Sequence, residues 1–157
     1  MKSMKKILFV VALFSVALLF TGCGNSNIDG DLGDLMDKVY AEIPEDERPM
    51  MLEQVKVNAD NIEYYLGTSD ISYKEALASE PAIGSIAHSV VLVRVADDAS
   101  VEDVKTKIKE NVDPRKWICV GVEEEDVIVK NKGNLIILIL EEDQTTREAL
   151  EKGFDNL

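Results

Sequence analysis

Few residues in this chain are of the types that do covalent chemistry, and their spacing narrows what they can do. There is one histidine, His88, and two cysteines, Cys23 and Cys119. A nucleophilic thiolate needs a base beside it, so Cys119 with His88 is the pair to weigh. They lie in separate apolar stretches, "WICV" and "HSVVLVRV". To act together they would have to occupy adjacent strands with both side chains on one face. Trp117, Ile118 and Val120 surround Cys119, which predicts a buried thiol behaving as a small hydrophobe. Zinc is disfavoured, because His88 has no second histidine and no HExxH helix. Ser85 follows Gly84, but no glycine stands two residues later to complete G-x-S-x-G. No phosphate-binding loop or dinucleotide fingerprint occurs. No catalytic residue, metal ligand or cofactor is therefore expected, and a binding role is favoured over an enzyme.

Carboxylates are plentiful. "NSNIDG", 25–30, matches the front half of a calcium loop, but Met36 stands where position twelve needs a bidentate glutamate. That stretch reads as a linker. "EEED", 123–126, and "EED", 141–143, flank a hairpin, "DVIVKNKGNLIILIL". Pairing Lys130 with Asn134 sets Glu123 opposite Glu141, give or take one residue. Opposed like charges cost stability, so the acids either splay into water or draw a cation or basic partner. They also precede the last helix, whose N-terminus favours negative charge. The solvated reading is preferred, and a cation-responsive acidic domain is the alternative.

Cys23 carries a different chemistry. Lys2, Lys5 and Lys6 precede an apolar run, Ile7 to Phe20, interrupted only by Ser15. A bilayer core about 30 Å thick takes roughly 20 apolar residues as helix. A run of 14 suits the core of a secretory signal instead. Thr21 and Gly22 then stand directly before Cys23, which resembles the lipobox of bacterial lipoproteins. The resemblance implies a diacylglyceryl group on the Cys23 sulfur and cleavage that makes Cys23 the new N-terminus. Two acyl chains suffice for stable anchoring. The expected organisation is a signal peptide over 1–22, the lipidated cysteine with a tether over 23–30, and one extracytoplasmic domain over 31–157.

After residue 22 stand all 30 acids but only 14 of the 17 Lys and Arg, a net charge of −16. Such a surface repels phosphate backbones and anionic headgroups. Nucleic acid is not an expected partner. A basic envelope protein fits the sign, beside the membrane itself reached through the lipid on Cys23.

The elements follow from periodicity. "DLGDLMDKVYAEIP" has apolar residues at helical spacing, with Asp31 to cap it and Pro44 to stop it. "MMLEQV" reads as a second, shorter helix, and "NIEYYLGT" as a strand. Ser72 with Glu75, Ser100 with Asp103, and Thr145 with Glu148 are capping boxes that predict three helices, the first running to Glu80. Residues 88–95 and 135–140 are near-continuous apolar runs and predict central strands. "WICVGV" reads as a further strand or an extended entry. Asn131 and Lys132 are expected at the hairpin turn, with Gly133 left-handed. The order predicts an α+β domain, with helices packed on a mostly antiparallel sheet.

Residues 87–140, from "AHSVVLVRVADDASVEDVKTKIKENV" to "RKWICVGVEEEDVIVKNKGNLIILIL", resemble a domain of unknown function found in small lipoproteins of Gram-positive bacteria. The resemblance implies attachment to the outer face of the cell membrane. It carries over no functional residue except Cys23, and it implies no enzyme activity and excludes none.

Overall fold

The computed structural model describes residues 27–157. The expected signal segment, Cys23 and the first part of the tether lie outside the described residues. Strands β1 (Leu52–Val57), β2 (Tyr73–Pro81), β3 (His88–Val95), β4 (Ile128–Lys132) and β5 (Leu135–Glu141) form one sheet in the order β1-β2-β3-β5-β4. Every neighbouring pair is antiparallel. Helices α1 (Leu32–Val39) and α4 (Gln144–Asp155) cover one face. Helices α2 (Ile62–Leu66) and α3 (Val101–Asn111) cover the other. The domain is α+β with an antiparallel sheet, as the element order predicts.

The two apolar strands are central because both faces are covered. Val90, Leu92, Ile137 and Ile139 pack under α1 and α4. Val91, Val93, Ile136 and Leu138 pack under α2 and α3. Asp31 caps α1 through Gly33 N and Asp34 N, and Ser100 caps α3 through Asp103 N. At α4 the cap is Asp143, which accepts from Thr146 N; Thr145 falls inside the helix.

Several local expectations are overturned. Residues 73–81 form β2, not the helix that Ser72 and Glu75 predict. Six of its residues pair with β1, and six with β3, and that ladder outweighs the helix preference of Glu75, Ala76 and Leu77. "LEQVKV" forms the edge strand β1, not a helix. Residues 62–66 form α2, not a strand; Ile62, Tyr65 and Leu66 are buried at helical spacing, and Gly67 closes the turn at φ +74°. "WICVGV" joins no strand and belongs to an irregular strap between α3 and β4. At the hairpin Gly133 is left-handed as expected, but Lys132 pairs with Leu135, so the loop is Gly133-Asn134.

The antiparallel layout gives the domain two unlike ends. The chain enters at one, where Ile28 N donates to Asn134 Oδ1 at 3.0 Å and Arg94 holds the Gly30 carbonyl at 2.7 Å. The other end holds the start of β1, the β2–β3 loop, the end of β5 and the strap.

Candidate functional site

The unexpected polar residues of the core sit at this second end, on both faces of the sheet. On the α1/α4 face, β3 and β5 place His88 opposite Glu141. His88 Nδ1 lies 2.5 Å from Glu141 Oε2, and Nε2 lies 2.6 Å from the Tyr40 hydroxyl. An ionised carboxylate can only accept. With the imidazole neutral, Nδ1–H therefore donates to Glu141, and Nε2 accepts from Tyr40. The second Glu141 oxygen accepts from Asp143 N at 2.8 Å. All three side chains are buried. Burial pushes the Tyr40 phenol well above the usual tyrosine range; a Ser79 hydrogen bond offsets part of that, and Glu141 adds to it. Each side-chain polar atom of Tyr40, His88 and Glu141 has a partner, and the three are sealed in.

On the α2/α3 face, β2 presents Glu80 inward. Its Oε1 accepts from Tyr64 Oη at 2.6 Å and from Trp117 Nε1 at 2.9 Å. Its Oε2 accepts from Lys116 Nζ at 2.9 Å, and the same ammonium reaches Ser89 Oγ at 3.3 Å. The Lys116 and Glu80 side chains are only 4% and 8% exposed. The ammonium lies 4.3, 4.9 and 5.2 Å from the ring centroids of Tyr64, Tyr65 and Trp117. These are cation–π distances. Burial holds the ammonium below the usual lysine range, and Glu80 offsets part of that. The Tyr64 phenol is raised by burial and by the Glu80 carboxylate.

Beyond both clusters, the loops of this end expose apolar side chains. Met50 is 69% exposed, Met51 61% and Ile118 74%, with Ile83 beside them. Ala82 N donates to Met51 O, and Ile118 N donates to Gly84 O, so the three loops adjoin. Together with Tyr64, these four are the exposed large apolar residues among the described residues.

Two expectations about chemistry are corrected, and the Cys119–His88 pair that the sequence disfavoured does not form. Cys119 is exposed, not buried, because the strap turns there through φ +63° and swings the thiol outward while Trp117 goes in. Cys119 and His88 do not meet, since His88 serves the opposite face of the sheet. The acids of 123–126 and 141–143 meet at one end of the hairpin, where Arg147 bridges Asp126 and the Glu141 carbonyl, but not in the expected register. Lys130 pairs with Ile137, three positions from the expected register, so Glu123 is not opposite Glu141. Glu123 pairs with Arg115, Asp126 with Arg147, and Glu141 with His88. Among the described residues no three His, Cys, Asp or Glu are placed to hold a metal ion.

The sequence reading missed the Glu80 and Glu141 clusters. Their signal was a charged residue at the end of an otherwise buried strand, at Glu80 and Glu141, where burial requires a partner. Two surface clefts, of about 330 and 270 Å³, lie at the entry end, around Asp70–Lys107 and Asn27–Asn134. Neither is lined by Tyr40, His88, Glu80 or Lys116. No known protein family matches the chain, and neither do curated proteins or solved structures.

Proposed function

We propose that this chain is a bacterial lipoprotein of the outer face of the cell membrane, tethered through Cys23, whose domain works by binding a protein of the cell envelope. The observation that carries the binding role is the apolar rim of Met50, Met51, Ile83 and Ile118. It stands at the end of the sheet opposite the chain entry. Exposed apolar groups gathered in one place mark interaction sites, whereas scattered ones mean nothing. The acids of 45–47 lie just before Met50, which matches a partner with a basic border. The lipobox and the resemblance of 87–140 to lipoprotein domains support the placement. An envelope enzyme is the weaker reading, because the groups with displaced pKa values line neither cleft.

Two measurements test the proposal. Mass spectrometry of the N-terminal peptide from cells should find an acylated Cys23; an unmodified Cys23 within a longer peptide sinks the anchor. A photo-crosslinker at Ile118 should trap one discrete partner in intact cells, whereas one at Asp98 of the entry end should not. Equal trapping from both positions sinks the assigned face.

A further inference from the structure

Glu80, Tyr64, Tyr65 and Trp117 make a box with three aromatic faces and one carboxylate. That is the composition of an ammonium receptor. A lysine is almost never fully buried, yet here Lys116 fills the box. The residue that fills it comes from the strap, residues 112–127, not from the sheet or helices that build most of the walls. The strap has no helix or strand before Glu124. Cys119 stands in the left-handed region that favours glycine, and Ile118 and Cys119 face water. The strap is anchored at its ends, by Val112 N to Ile108 O and by Lys109 to Val127 O, and by buried Val122. Around Lys116 its backbone is tied by Ile118 N to Gly84 O and by Val122 N to Pro114 O, the last bond internal to the strap. Tyr64 is 47% exposed, so one wall of the box already borders solvent.

We infer that this box is a recognition site for a lysine side chain of a basic partner protein, held shut in the free chain by its own Lys116. The inference rests on the binding reading and names the chemistry of its partner. Glu80 Oε2 and Ser89 Oγ both take a hydrogen bond from the ammonium. A quaternary ammonium has no hydrogen to give them, so the box selects a primary amine. The apolar rim adjoins it through Ile118, two residues from Lys116. A protein docking on that rim brings its lysine to the strap, displaces Lys116 and moves Ile118 with it. The site therefore answers best to a partner that engages both features.

The chain's one tryptophan, Trp117, is a wall of the box and reports on it. The full chain and its Lys116→Ala variant are titrated with n-butylammonium, tetramethylammonium, sodium and neutral n-pentanol at matched ionic strength, following Trp117 emission. Lys116→Ala should respond saturably to n-butylammonium and at least tenfold more weakly to tetramethylammonium, sodium and pentanol. Wild type should reach the same end point at ten or more times the concentration, because Lys116 competes from within the chain. Glu80→Gln on the Lys116→Ala background should abolish the response. Tighter tetramethylammonium binding overturns the lysine assignment. A response to pentanol as strong as to n-butylammonium overturns ammonium recognition. A wild-type chain that never responds, while the variant does, makes the box a permanent socket and overturns self-occupation. If Lys116→Ala does not fold, the wild-type titration decides by the same contrasts. No partner is needed, so the result is independent of the crosslinking test.

Discussion

Buried polar side chains at the second end of the sheet are satisfied one by one, and each makes its own demand on stability. Tyr40 donates to His88, which has no other donor for Nε2. Tyr40→Phe leaves that nitrogen unpaired in a dry site, and should cost about 1–3 kcal/mol in a denaturant titration. The pH dependence has a definite sign. A phenol whose folded pKa is raised contributes in full below the unfolded value of about 10, and the contribution drains as pH climbs past it. The wild-type midpoint should fall between pH 10 and 11, and Tyr40→Phe should flatten part of that fall. Tyr64 and Tyr65 are raised in the same direction and keep the rest. Lys116 works with the opposite sign, because a lowered ammonium pKa makes stability rise with pH up to the lysine range. Cys119 gives a simpler test. Its exposure predicts prompt labelling of the native chain by thiol reagents, at a rate close to that after denaturation. Slow native labelling would return the thiol to the core.

At the scale of elements, contact between helices sets the tolerances. A Cβ on Gly153 would come within 2.1 Å of the Val39 carbonyl oxygen, so α4 rests directly on the end of α1. Gly153→Ala adds a methyl where backbone cannot yield, and should destabilise by about 1–3 kcal/mol or more, measured by thermal melting. The gain in helix propensity is too small to reverse it. Much of this architecture was legible. Periodicity located α1 and α3, and continuous apolar runs located β3 and β5, because those elements bury whole faces. β1 and β2 were hidden because Glu75, Ala76 and Gln54 suit helices, and only pairing across the sheet makes them strands. α2 was hidden because five residues give barely one turn of period. The lysine box was not legible at all. Tyr64, Glu80 and Lys116 are far apart in sequence, and only the packing of α2 and the strap against β2 unites them.

Over the whole molecule, charge is dispersed. The full chain carries −13, yet Glu123 and Asp126 beside the hairpin are matched by Arg115 and Arg147, and Glu141 takes a hydrogen bond from His88. Screening should act generally, with a Debye length of about 8 Å at physiological ionic strength. Sodium and calcium at equal ionic strength should raise the melting temperature alike; a calcium-specific rise would reveal a site that the paired acids do not provide. The hydrogen bond from Ile28 to Asn134 has a consequence for height. Ile28 lies five residues beyond Cys23, and five residues span at most roughly 18 Å. With Cys23 acylated, the β4–β5 turn hovers within that distance of the bilayer. The eight residues of β3 lift the far rim by up to roughly 27 Å more. A partner sharing the same membrane therefore meets the rim at a height of no more than about 45 Å, the sum of these two spans.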